Sequence, residues 1–349
     1  MSEEEVAEHA ERALELATTA QSPEVLCKAL NAKGWLMQRR HRAIEAAATF
    51  QTLVEVAQES DLAKAELMGR GNLADVRAQA DLPGAEPEHL AALKLTERLG
   101  DVGNRAIALS NLAFHHLYSG QWDQTESYAR RAIEAVDIEA LQNFGHFPLG
   151  MLAVTRGDSV TARRQLLYLR SWAADDDPQS RDSYSIAEAG VALIDGPPHK
   201  AIALSSAAAR SSYEANGLMS ESFRLAWPLA LEAAIRGAEL DEAEALLAIV
   251  ANAPPEHVPP YLSAQLARYR ALIDLARGDR AAGVEADLRS AVETFSSLGY
   301  VYWFARTKAD LGRWLGSQGR RDEAKQLLAE ARDTFIQLDA QADLAWLLP

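Results

Sequence analysis

A single cysteine, Cys27, stands among 349 residues. That excludes an intramolecular disulfide framework and any cysteine-rich metal site. Long apolar runs are missing as well. The longest stretch without a formal charge, Ala140 to Thr155, is shorter than the ~20 residues that a membrane-spanning helix needs. No basic segment followed by an apolar one opens the chain, because Met1 leads into Glu3-Glu4-Glu5; no secretory leader is expected, and the cytoplasm is the expected compartment. Positive charge is scarce: 35 Lys and Arg face 50 Asp and Glu, for a net charge of −15. Nucleic acids and anionic membranes are bound through an excess of Lys and Arg, so neither is expected as a direct partner. Strand signals are nearly absent too. Val301-Tyr302-Trp303-Phe304 opens a run through Lys308, Leu311 and Leu315 at helical spacing.

What is present is a repeat. A helical stretch, a turn glycine, a few polar residues and a second helix recur throughout. The turns read Ser119-Gly120-Gln121-Trp122-Asp123, Arg156-Gly157-Asp158, Asp195-Gly196-Pro197-Pro198, Arg236-Gly237-Ala238, Arg277-Gly278-Asp279 and Gln318-Gly319-Arg320. Stepping back by about 40 residues from Gly120 reaches Asp81-Leu82-Pro83-Gly84, and a further step reaches Arg39 to Arg42. Hairpin turns are therefore expected near 40, 81, 120, 157, 196, 237, 278 and 319, with residues 1–349 as one domain. Glycine suits such turns because helices commonly end on a left-handed residue. Asp123, Asp158, Asp241, Asp279 and Asp322 then suit the first turn of the following helix, where they face the positive end of its dipole. Small residues such as Ala162, Ala201, Ala243 and Ala324 let the two helices approach closely. The expected fold is all-α: a right-handed α-solenoid of about eight helix hairpins with one continuous core. Pro148 and Pro228 fall inside predicted helices, where each should kink its helix or mark a first turn. Trp122, Trp303 and Trp314 are expected to fill hairpin cores.

The pattern resembles the tetratricopeptide repeat. The fullest match is Ala309-Asp310-Leu311-Gly312, Leu315, Gly319-Arg320-Arg321-Asp322-Glu323-Ala324, Leu328 and Ala331, and Asn111-Leu112-Ala113 with Gly120-Gln121-Trp122-Asp123 follows closely. The family's unit is shorter than this one. Units near 40 residues look more like the helical-repeat region of large ATP-binding LuxR-type regulators, among them the maltose-regulon activator MalT, and like the repeat tails of bacterial cyclase-type and AAA-type ATPase regulators. That resemblance implies a sensor region attached to an ATPase and, in many cases, a DNA-binding module. No G-x-x-x-x-G-K-[ST] phosphate loop and no basic recognition helix are evident in the chain. Glu4 to Thr18 reads like the second helix of a hairpin whose first is missing, so the chain is expected to be either a segment of a larger regulator or a stand-alone relative. An uncapped solenoid end could drive homodimerisation.

No G-x-S-x-G, no H-E-x-x-H and no Cys/His ligand spacing is present. Neighbouring His115 and His116 diverge by about 100° on a helix and cannot both point at one metal. No catalytic residue, metal or cofactor is therefore expected, and Asp175-Asp176-Asp177 reads as a solvated loop. A solenoid of hairpins does present a concave groove along its first helices. The repeat offsets place Phe114 and Tyr118 there, then Phe144, Phe147 and Met151, Arg224 and Trp227, Arg268, and finally Arg306 and Arg313. Aromatic and arginine side chains are enriched at binding hot spots, and arginine can clamp a carboxylate. A protein or peptide partner, or a small anionic effector, is the expected ligand. A one-residue change of register would instead put these aromatics between helices, as core. In peptide-clamping members of the repeat family, an Asn at the position of Asn72 and Asn111 contacts the peptide terminus, although the matched lysines of that clamp are scarce here. The function expected from the sequence is a non-catalytic sensor or scaffold within a signal-transduction regulator. A stand-alone interaction adaptor is the alternative, and an enzyme with its active site in the groove a more distant one.

Overall fold

The computed structural model describes residues 3–278 and 283–347. Among them run eighteen α-helices and no strand, an all-α helical-repeat solenoid. Helix α1 (Glu3–Ala20) packs on α2 (Pro23–Arg39), which pairs with α3 (Ala43–Glu59). The next hairpins are α4 (Ala63–Gln79) with α5 (Ala85–Leu99), and α6 (Val102–Ser119) with α7 (Trp122–Glu134). Then come α8 (Glu139–Arg156) with α9 (Ser159–Tyr168), α10 (Pro178–Asp195) with α11 (Pro198–Asn216), and α12 (Glu221–Arg236) with α13 (Leu240–Ala251). The last are α14 (Pro260–Arg277) with α15 (Gly283–Leu298), α16 (Val301–Ser317) with α17 (Arg321–Leu338), and a short α18 (Gln341–Leu347).

Local chemistry marks the helix ends. Side chains of Ser22, Asp101, Asp158, Asp177 and Ser220 accept backbone N–H groups at helix starts, satisfying donors that the helix itself leaves unpaired. Asp123, Asp241 and Asp322 lie in first turns, whereas Asp279 falls outside the described residues. Gly120 and Gly157 turn the chain at φ +77° and +81°. The expected left-handed glycine fails at two turns. Gly196 is extended, at φ −104° and ψ −176°, because a residue before proline is driven out of the helical region and Pro197-Pro198 follow. Gly237 stays helical, and Ala238 takes the left-handed position at φ +58°. Pro148 and Pro228 sit mid-helix and not in a first turn; the Pro228 carbonyl accepts the Tyr269 hydroxyl at 3.0 Å.

The first helices of successive hairpins touch one another from α2 to α14, while each second helix packs mainly on its sequence neighbours. The first helices therefore line the inside of the curve. The curve is tight enough to meet itself. Turns of the first four hairpins press on connections of the last four: His41 stacks on His257 with ring centroids 5.3 Å apart, and Gln38 donates to the Met219 carbonyl at 3.3 Å. A Cβ on Gly120 would lie 2.9 Å from the Val301 Cβ, and one on Gly157 would lie 2.6 Å from the Ala342 Cβ. Both glycines thus permit the approach as well as the turn.

At the centre of this closure lies Asp81, left-handed at φ +55°, its side chain fully buried. Its Oδ1 accepts from Arg224 Nη2 at 3.0 Å and from the Tyr300 hydroxyl at 2.7 Å, and its Oδ2 accepts the Tyr261 backbone N–H at 2.7 Å. Arg224 also donates to the Gln79 carbonyl at 2.9 Å. Burial opposes the arginine's charge, but Asp81 and the neighbouring groups outweigh that penalty and hold its proton on more firmly than usual. Removing one partner of a buried pair strands the other charge and costs about 3–5 kcal/mol. Asp81→Asn, which tolerates the same backbone conformation, is expected to lower the melting temperature and to enlarge the radius of gyration by X-ray scattering as the two edges part. Adding Arg224→Met should restore part of the lost stability, because neither member of the pair is then left charged without the other. An unchanged radius for Asp81→Asn would show that the other cross-turn contacts hold the closure alone.

A divided chamber inside the superhelix

Closure of the curve encloses a cavity of about 1140 Å³ along the first helices. One wall is aromatic. Phe114 and Phe147 meet edge-on at 5.2 Å, and Trp172, from the 3₁₀ turn after α9, packs on Phe147 at 6.0 Å and on Phe144 at 5.7 Å. The adjoining wall is polar. Asn111 on α6 donates to Asp75 Oδ1 at 2.9 Å, and the Tyr118 hydroxyl donates to Glu221 Oε1 at 3.0 Å. One hairpin earlier, Asn72 donates to Asn31 at 2.6 Å, so this asparagine position builds a ladder between neighbouring first helices.

Tyr118 and Arg224 also border a second cavity of about 180 Å³, whose walls include Met151, Leu229, Tyr302 and Trp303. The Arg224 guanidinium lies 4.9 Å from the Tyr118 ring centroid and 4.4 Å from that of Tyr261, a stacked septum stabilised by cation–π attraction. Beyond it, Arg306 donates to Glu232 at 2.7 Å and pairs with Asp343 at 3.4 Å. Burial would raise the Glu232 carboxyl, but Arg306 and Arg236 pull it down to about 2.

The residues that the sequence assigned to the groove divide between several environments. Phe114, Tyr118, Phe144, Phe147 and Arg224 line the large cavity, while Met151 and Arg306 line the small one. Trp227 and Arg268 do not face open space. Trp227 is fully buried and its indole N–H donates to the Leu246 carbonyl at 2.8 Å; Arg268, 1% exposed, donates to Asp310 at 2.7 Å. Neighbours along the repeat cover them: Trp227 packs on the second helix of its own hairpin and Arg268 on the next hairpin. Arg313 is exposed and stacks on Trp346 at 4.1 Å. The arginines expected to meet an anion are thus mostly spent on internal carboxylates: Arg224 on Asp81, Arg268 on Asp310, Arg306 on Glu232 and Asp343.

Asp75, His89, Glu221 and Trp172 line the large cavity without having been singled out by sequence. Asp75 had a readable signal, since it lies three residues after Asn72 on the same helix face. Glu221 had none, as it faces the cavity only through closure. Burial raises the Asp75 carboxyl to about 7, with the Glu221 charge adding to the effect, and burial likewise raises Glu221 itself. Burial, then the neighbouring His115, lowers His89 to about 3, so it is neutral.

These shifts carry a pH signature. The other charged or titratable groups lining the same cavity are Arg77 from α4, Asp81, Glu86 and His89 from α5 and the turn before it, His115 and Tyr118 from α6, Asp177, Glu221 and Arg224 from α12, and Tyr300. Asp75 titrates near 3.9 in an unfolded chain, so between that value and about 7 the folded state holds the extra proton. Stability from this group is therefore lost as pH rises through 7. Thermal melts at pH 5 and pH 8 should show the wild type losing more than Asp75→Asn over that interval; equal losses would show that Asp75 is ionised throughout.

No family model matches the sequence, and no curated protein matches it. Among solved structures, the crystal structure of a Rap protein complexed with competence and sporulation factor is similar to this chain with a TM-score of 0.57 and 14% identity, covering 97% of this chain and 100% of that one. At that identity the likeness is one of fold alone, a helical repeat.

Proposed function

We propose that this protein is a non-catalytic regulator that binds a short peptide, or an extended segment of a partner protein, inside the large chamber. The observation that carries the reading is the chamber itself: about 1140 Å³ with an aromatic wall and a polar wall, the composition expected of a ligand pocket. The Rap protein of similar fold, whose structure is a complex with competence and sporulation factor, supports a ligand of this kind. A ligand there touches hairpins from both halves of the closed curve. Its effect on an output would be limited by its difference in affinity for more open and more closed shapes.

Affinity selection from a pooled library of short peptides, read by mass spectrometry, tests the reading. Wild-type protein is expected to retain a defined subset. Ser110→Phe, which fills the chamber from α6, should lose that subset while melting near the wild-type temperature. Retention of no peptide by the wild type, or equal retention by both proteins, would reject the chamber as the binding site.

The resemblance to ATP-binding LuxR-type regulators supports the further reading that this repeat is the sensor region of a signal-transduction ATPase or transcription regulator. Immunodetection of the native gene product separates the possibilities. A species much larger than this chain is expected under the sensor reading, and a species of this length would favour a stand-alone adaptor.

A further inference from the structure

We infer that the large chamber contains a subsite for one positively charged side chain of the bound peptide, formed by Asp75 on α4 and Glu221 at the start of α12. This assignment rests on the peptide-binding reading above and specifies its chemistry. Each carboxylate is held by one neutral donor, Asp75 by Asn111 and Glu221 by Tyr118. Among the described residues neither has a cation within ion-pair distance. The basic side chains lining the chamber, Arg77 and Arg224, are engaged with Glu88 at 3.4 Å and with Asp81 at 3.0 Å.

A second observation is independent of these charges. His89, Ser110, Ser183 and Ser222 line the same chamber at 2%, 5%, 5% and 6% exposure, and among the described residues no side-chain hydrogen bond is made by any of the four, so their polar atoms stay open to the chamber. Polar groups on nearly buried residues are ordinarily paired within the protein, and four that instead open onto one cavity are free to bond a ligand or ordered water. A neutral imidazole and three hydroxyls can all accept hydrogen bonds. A guanidinium carries five N–H donors and no acceptor, and it matches carboxylates in bidentate fashion. An anion, by contrast, would meet two facing carboxylates and find both basic side chains already occupied. The aromatic wall of Phe114, Phe147 and Trp172 adjoins this polar face, so an apolar residue next to the cationic one completes the fit.

Isothermal titration calorimetry with three capped dipeptides tests the assignment: acetyl-Phe-Arg-amide, its neutral isostere acetyl-Phe-citrulline-amide, and acetyl-Phe-Glu-amide. The arginine peptide is expected to bind the wild type at least about tenfold more tightly than the citrulline peptide, a factor of ten being 1.4 kcal/mol. In Asp75→Asn/Glu221→Gln that preference should vanish while the citrulline peptide binds as before. Both substitutions are isosteric and remove like-charge repulsion, so the variant should melt no lower than the wild type. Equal affinity for the arginine and citrulline peptides in the wild type, or a preference for the glutamate peptide, overturns the subsite and leaves peptide binding standing. Agmatine alone, bound as tightly as the arginine peptide, keeps the subsite and overturns the peptide reading. Absence of binding by all four probes overturns both.

Discussion

The carboxylate of Asp81 is the point on which the closed shape rests. It joins a turn early in the chain to the Arg224 side chain, the Tyr300 hydroxyl and the Tyr261 backbone, between 143 and 219 residues away. Three donors converge on one anion, and Arg224 finds a second acceptor in the Gln79 carbonyl. A helical repeat without such a lock is a spring, each hairpin touching only its neighbours. Here the ends of the curve are tied, and replacing one member of the tie leaves a charge in a place that water does not reach. A buried ion pair is weak as a source of net stability yet strong as a constraint on geometry. That is the role it has here.

The chamber follows from the same constraint. Because the first helices face inward, closure gathers their concave side chains into a single cavity; because Arg224 and Tyr118 stand in the middle of it, closure also divides that cavity in two. The lock and the larger chamber share Arg224 and Asp81. Anything that binds against Glu221 or Tyr118 works within one residue shell of the tie between the two halves. The proposed binding site and a shape-determining contact thus share one piece of structure, which is what would let a ligand bias curvature.

The hairpins were readable because their signals are local. Turn residues, helix starts and the recurrence of small side chains all lie within one unit, and each acts through contacts a few residues apart. The aromatic register of Phe114, Tyr118, Phe144 and Phe147 was readable for the same reason, since these residues belong to first helices at equivalent offsets. Trp227 and Arg268 occupy comparable offsets further along and yet are core. What differs is their packing within the repeat, where each lies between adjacent helices. Trp227 gives its N–H to Leu246 on the next helix, and Arg268 meets Asp310 in the next hairpin. A repeat pattern treats all units as equal, whereas the packing of each hairpin on the next decides which of the equivalent offsets is interior.

From the sequence alone came the all-α class, the period near 40 residues and the inward face of the early hairpins. Tertiary structure decided which turns meet, and with them the pairing of Arg224 with Asp81 and the acidic character of the chamber around Asp75 and Glu221. The reason lies in range. Helix formation and hairpin pairing are governed by neighbours along the chain, but the sign of charge in a cavity depends on which distant side chains have already neutralised one another. Only the folded curve specifies that.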